Sequence, residues 1–235
     1  MNKQNGNMYD FVTHTSNPIK GLCPHKCDYC YMLAIFRHYH GDETLRLDEY
    51  ELKVNYGKNK FIFLGTSTDM FADAVPTEWI LQVYDKCLQH PDNKYLFQSK
   101  NPGRTLEPQL INHPLMQLKD RIYFATTIES NRDYPISKAQ CMTERVDAMA
   151  LLQAMGFSVM VTIEPIMDFD HDELVEMLRK IGPFQVNIGC NTNREVKLPE
   201  PTRDQIAALV QELRTFTKVE LKSNSARILG DLTNI

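Results

Sequence analysis

Short continuous apolar runs, separated by longer amphipathic stretches, recur along this chain. Phe61-Ile62-Phe63-Leu64, Tyr95-Leu96-Phe97 and Ile122-Tyr123-Phe124 do not alternate with polar residues, which predicts parallel strands buried on both faces. Phe157 to Ile163 and Phe184 to Ile188 read as further strands of the same series. The stretches between them carry helical periodicity. From Thr77 to His90, residues Trp79, Ile80, Val83, Tyr84, Cys87 and Leu88 fall on one stripe, and Ile206, Leu209, Val210 and Leu213 do so in a helix opened by Thr202 and Gln205. A helix from Met142 to Met155 is stopped by Gly156, and Gly182-Pro183 ends another that runs through Ile181, with Asp170 and Glu173 as its expected capping pair. Tyr9 to Ile19 reads as a first strand leading into a loop at Asn17-Pro18, Tyr31 to Tyr39 as the helix after it, and Val219 to Lys222 as a possible final strand.

About six βα units result, in one domain over residues 1–235 with no internal repeat. Such alternation implies an α/β fold with parallel strands and right-handed crossovers. The polar clusters Gly65 to Asp69, Gln98 to Lys100, Thr126 to Ser130, Glu164 and Gly189 to Asn191 all follow strands, at the carboxyl ends where α/β barrels build their sites.

Composition narrows the partners. A formal net charge of -4 and a pI near 6.0 do not support wrapping a long nucleic-acid backbone. No apolar run reaches the length of a membrane span. The first residues lack the apolar core of a signal peptide, so a cytoplasmic protein is expected. Of six cysteines, Cys87, Cys141 and Cys190 are scattered and three are clustered, which is not a disulfide framework.

The clustered three, Cys23, Cys27 and Cys30, stand in Cys-Pro-His-Lys-Cys-Asp-Tyr-Cys, a C-x3-C-x2-C spacing. Three thiolates in one loop suit three irons of a 4Fe-4S cubane, leaving the fourth iron open for a ligand. The competing arrangement is a zinc site that adds His25 as fourth ligand.

With Tyr29 before the last cysteine, the segment resembles the signature of the radical SAM superfamily. Further segments, GTSTDMFADAVPTEWI, TTIESNRDYP with Arg145 beyond it, and VTIEPI, are similar to small phage-associated radical SAM proteins and to the spore photoproduct lyase-like branch. The resemblance implies a partial (βα)6 TIM-type barrel, a 4Fe-4S cluster held by Cys23, Cys27 and Cys30, and S-adenosylmethionine (AdoMet) on the open iron. It also implies an electron donor of the reductase or flavodoxin kind. Tyr29 is expected to pack on the adenine. Thr66, Ser67, Thr68 and Asp69 stand where the superfamily carries a Gly-Gly-Glu turn that accepts from the methionyl ammonium. Lys100 is expected to pair with the methionyl carboxylate, and Glu129 and Ser130 to meet ribose or carboxylate; Arg145 and Glu164 complete the expected cofactor contacts. Cys190, ending the sixth strand, is a candidate hydrogen-atom donor to a substrate radical. Arg132, Arg145, Asn193 and Lys222 are candidate substrate contacts, while His38 and His40 read as exposed helix-end residues.

The expected function is therefore hydrogen abstraction from a nucleotide, nucleobase or similar compact substrate. The alternatives are the same chemistry on DNA, RNA or a peptide, and a non-catalytic iron-sulfur or zinc module.

Overall fold

The computed structural model describes residues 1–4, 9–39 and 41–230; His40 lies outside them. Seven parallel strands form one sheet in sequence order: His14–Ser16, Phe61–Leu64, Lys94–Gln98, Ile122–Thr127, Ser158–Ile163, Gln185–Ile188 and Lys218–Leu221. A two-residue strand, Asn2–Lys3, pairs antiparallel with the first of them at one edge. Every expected strand is present, and the order is that of an open, partial barrel in which each strand lies beside its predecessor. No described helix is long and apolar enough to cross a membrane.

The apolar runs are continuous because the sheet is covered twice. In the third strand, Tyr95 and Phe97 pack outward with Ile80, Val83 and Tyr84 of the preceding helix, Thr77–Leu88. Leu96, between them, packs inward with Phe63, Ala125 and Met160 from neighbouring strands. The helix His171–Ile181 buries Leu174, Val175, Leu178 and Ile181, each worth about 1.5–3 kcal/mol of transfer from water.

Two local expectations are corrected. Only His14–Ser16 of the stretch Tyr9 to Ile19 joins the parallel sheet. Tyr9 and Val12 instead pack into the inner cluster, and Ile19–Lys20 pairs antiparallel with Arg46–Leu47 in a separate two-stranded sheet. Asp170 does sit at the N-cap of its helix, but its side chain does not cap. Its carboxylate accepts from Arg132, with Nη2 at 2.7 Å, and from Asn131, and the guanidinium is the stronger partner for it. By contrast Thr202 and Gln205 form the expected reciprocal box.

The connection after the third strand carries no long helix, only the short helical turns Pro102–Leu106, Pro108–Ile111, Pro114–Gln117 and Lys119–Arg121. Helices Tyr31–Tyr39, Met142–Ala154 and Arg203–Leu213 follow the first, fourth and sixth strands.

Candidate active site

A cavity of 390 Å³ opens at the carboxyl ends of the strands. Cys23, Cys27, Tyr29 and Cys30 line one side, and Glu164, Cys190, Asn191 and Lys222 the other. Thr66 to Asp69 and Lys100 lie between them. One pocket therefore gathers residues from the cysteine loop and from six strand ends, Thr127 representing the fourth.

The cysteine loop is placed by backbone features on both sides. Gly21 has φ +111°, and a Cβ there would stand 2.4 Å from the Thr44 carbonyl oxygen, so only glycine fits. Thr68 Oγ1 donates to Gly21 O at 2.6 Å. Within the loop, Lys138 N donates to His25 O at 2.7 Å and Asp28 N to Ile136 O at 2.9 Å. Cys27 is buried while Cys23 and Cys30 are partly open. Burial and the charge of Asp69 push the Cys23 thiol up to about 12, and burial also raises Cys30. Such thiols become ligands only where a metal's charge stabilises the thiolate.

Among the described residues, no three Cys, His, Asp or Glu side chains converge to hold a single metal ion. The zinc arrangement is not formed, because His25 Nε2 is 2.8 Å from Asp69 Oδ2 instead. Three sulfur donors along one cavity wall, with open volume beside them, fit a polynuclear iron-sulfur group better than a single ion.

Asp69 does not face a ligand as a free acceptor. Its Oδ2 takes hydrogen bonds from His25, from Ser99 Oγ at 3.0 Å and from Lys100 N at 2.8 Å, and its Oδ1 from Phe71 N at 2.9 Å. Burial works to raise its pKa, but the hydrogen bond and charge of His25 and the two backbone donors outweigh it, and the net shift is downward. The neighbouring turn is built by Gly65, with φ +76°, and by Asn17. Asn17 Oδ1 accepts from Thr66 Oγ1 and from Ser67 N, both at 3.1 Å.

Lys100, Glu129, Arg145 and Tyr29 form a buried cluster. Tyr29 OH donates to Glu129 Oε1 at 2.5 Å, Arg145 Nη1 to Oε2 at 2.9 Å, and Lys100 Nζ contacts both Glu129 and the Tyr29 hydroxyl. Arg145 also donates to the carbonyls of Thr127 and Gln140. Burial opposes the charge on Glu129, yet the two cations hold its carboxyl well below the usual range; Glu129 in turn raises Lys100 against the effect of burial. One carboxylate between two cations leaves a net positive charge under the cavity floor, suited to an anionic group. Of these four, Tyr29 and Lys100 line the cavity and Glu129 and Arg145 stand behind them.

Ser130 is turned elsewhere: its hydroxyl donates to Asp168 O at 2.7 Å. Arg132 is engaged by Asp168 and Asp170, and Asn193 holds its own loop through Asn191. Lys222 does reach the cavity, pairing with Glu164 Oε2 at 2.7 Å, while Asn224 Nδ2 donates to Glu164 Oε1 at 2.8 Å. Cys190 is buried at the cavity edge, its thiol 4.0 Å from Ser225 O.

Asn17, Tyr9, Gln98 and Asn224 were not singled out from the sequence. Tyr9 OH donates to Gln98 Oε1 at 2.6 Å, and Lys222 Nζ lies 5.0 Å from the centre of the Tyr9 ring. Asn17 carried a signal, since Asn before Pro marks a turn, and Gln98 stood in the polar cluster after the third strand.

Solved structures of low sequence identity share this partial barrel. Spore photoproduct lyase is a structural neighbour: one mutant structure superposes with a TM-score of 0.62 at 9% identity, covering 93% of this chain and 78% of that one. Another, with bound AdoMet and a dinucleoside spore photoproduct, gives 0.56 at 12% identity, and this chain spans 64% of its length. SuiB from Streptococcus suis bound to S-adenosylmethionine gives 0.54 at 8% identity, over 89% of this chain and 47% of SuiB. No family model matches the chain, and no curated protein matches it.

Proposed function

We propose that this chain is a radical AdoMet enzyme that abstracts hydrogen from a compact substrate such as a nucleotide or nucleobase. The observation that carries the reading is the convergence of Cys23, Cys27 and Cys30 with Lys100 and the Glu129 cluster on one cavity at the mouth of this barrel. A 4Fe-4S cluster held by Cys23, Cys27 and Cys30, once reduced, would supply the electron for cleaving the sulfonium of AdoMet bound beside it.

The chain's own residues hold and orient. Cys23, Cys27 and Cys30 ligate the cluster. Lys100, charged because Glu129 sustains it, attracts the methionyl carboxylate. Thr66 to Thr68 offer hydroxyls and carbonyls to the methionyl ammonium in place of Asp69. Tyr29 and Tyr31 flank the loop, Tyr31 OH donating to Thr66 O at 3.3 Å. Glu164 and Lys222 on the opposite wall present an acceptor beside a donor. The cavity opens at the barrel mouth, where a substrate would approach the cofactors held by these residues. The setting is a reducing, cytoplasmic one with a flavodoxin-type donor.

The test is anaerobic reconstitution with iron and sulfide, dithionite reduction, and chromatography for 5'-deoxyadenosine. The expected result is its formation by wild type and its absence with Cys27→Ala. A reduced cluster whose paramagnetic spectrum AdoMet does not perturb, with no cleavage, overturns the proposal in favour of a binding module.

A further inference from the structure

Between the first two cysteines stands His25, 5% exposed. Pro24 and Lys26 flank it in the sequence, and Lys26 adopts a left-handed φ of 46°, a conformation that leaves the loop little intrinsic preference for this shape. The His25 side chain bonds to the turn after the second strand, through Nε2–H to Asp69 Oδ2 at 2.8 Å. Asp69 is fixed in turn by Ser99 and Lys100 at the end of the third strand and by Phe71 in its own turn. The pair thus joins the cysteine loop to two strand ends of the barrel.

We propose that His25 is a positioning residue: its bond to Asp69 sets the spacing of the three thiols and retains the cluster in the barrel mouth. This rests on the proposed cluster chemistry. The backbone of the loop is already pinned at His25 O by Lys138 N and at Asp28 N by Ile136 O, and Tyr29 ties its far end to Glu129. His25 supplies the anchor of the segment between the first two cysteines to the second and third strand ends. Groups outside the ligands that fix ligand orientation typically govern metal affinity by about 10–100-fold.

The experiment compares wild type, His25→Phe, His25→Gln and Asp69→Asn after reconstitution. Iron per chain, the rate of iron loss to a chelator, the paramagnetic spectrum of the reduced cluster and the melting temperature of the metal-free protein are measured. Gln is the rescue variant, because its side-chain amide reaches the place of Nε2 and can donate to Asp69. The expected result is about tenfold or faster iron loss and an altered spectrum in His25→Phe, with recovery toward wild type in His25→Gln and near-equal metal-free melting temperatures for these two. Asp69→Asn, which converts the acceptor carboxylate to a weaker amide, is expected to lose iron faster than His25→Gln. Wild-type iron loss and spectrum in His25→Phe overturn the proposal, as does equal loss in Phe and Gln variants, which would assign the effect to shape rather than to the hydrogen bond. Should His25→Phe fail to fold, His25→Gln against Asp69→Asn decides by the same criteria. Failure of the wild type itself to take up iron and sulfide instead refutes the cluster reading beneath it.

Discussion

Tyr29, one residue before the third cysteine, donates its phenol to Glu129, a hundred residues later at the end of the fourth strand, at 2.5 Å. The cysteine loop is thereby tied to a carboxylate that also pairs with Lys100 and Arg145. The expectation that Tyr29 packs on an adenine concerns its ring face; its hydroxyl is committed to the protein. Lys100 Nζ also lies 4.6 Å from the centre of that ring, so phenol, ammonium and carboxylate form one unit.

Glu129→Gln is expected to be the most damaging single change in this cluster. It keeps the shape but leaves two buried cations facing a neutral amide, and breaking a buried pair in this way costs about 3–5 kcal/mol. Tyr29→Phe removes the donor to Glu129 and the acceptor facing Lys100 but leaves the charges paired with each other, a smaller loss of about 1.5–3 kcal/mol. Denaturant unfolding of the metal-free variants checks the order; a smaller loss in Glu129→Gln than in Tyr29→Phe would contradict the charge account.

The scaffold was legible because parallel strands and amphipathic helices write their burial directly into the residue order. Phe61 to Leu64 could hardly be other than a two-sided strand. The cysteine spacing was equally local. Partnerships across the mouth were not legible. Asp69 had the residue type of an ammonium acceptor, but whether its oxygens are free depends on Ser99, Lys100 and His25, which approach from elsewhere in the chain. Ser130 illustrates the same limit, since a strand-end hydroxyl turns toward whichever acceptor lies nearest, here Asp168 O. Tyr9 was misplaced because an aromatic, β-branched stretch looks like a strand whether it pairs or plugs the barrel.

Acid should destabilise the protein through Asp69 and Glu129. Both carboxyls are lowered in the folded state, so their contribution is fully present above the unfolded carboxylate pKa, near 4. It is lost as pH falls through the lowered folded values. The metal-free wild type should therefore lose melting temperature steadily below about pH 4.5, the unfolded glutamate range. In Glu129→Gln the curve should start lower at pH 7 and fall less steeply. Parallel curves for the two proteins would show that Glu129 does not contribute.

Tyr9 closes the inside of the barrel, packed with Phe63 at a ring separation of 5.9 Å and bonded to Gln98. Tyr9→Phe should cost about 1 kcal/mol, the net value of one hydrogen bond. Tyr9→Ala should cost about 3–5 kcal/mol by opening a cavity. Thermal and denaturant unfolding distinguish these outcomes from an exposed strand residue, for which both changes would be small.

Cys190 offers the sharpest test of how the opposite wall takes part. Its thiol is buried at the cavity edge, and burial keeps it protonated, the form that can give up a hydrogen atom. Its contact with Ser225 O, at 4.0 Å, is long, so turning toward a substrate sacrifices little. If Cys190 returns hydrogen to a substrate radical, Cys190→Ala should still cleave AdoMet, because the residue stands apart from the cysteine loop. Once a substrate is in hand, the variant should give less of the hydrogen-restored product and more of side products, and in heavy water the wild type should place solvent deuterium in that product. Unchanged product and no solvent deuterium would leave Cys190 as a packing residue. Loss of AdoMet cleavage itself in Cys190→Ala, with the cluster intact, would assign it to AdoMet binding.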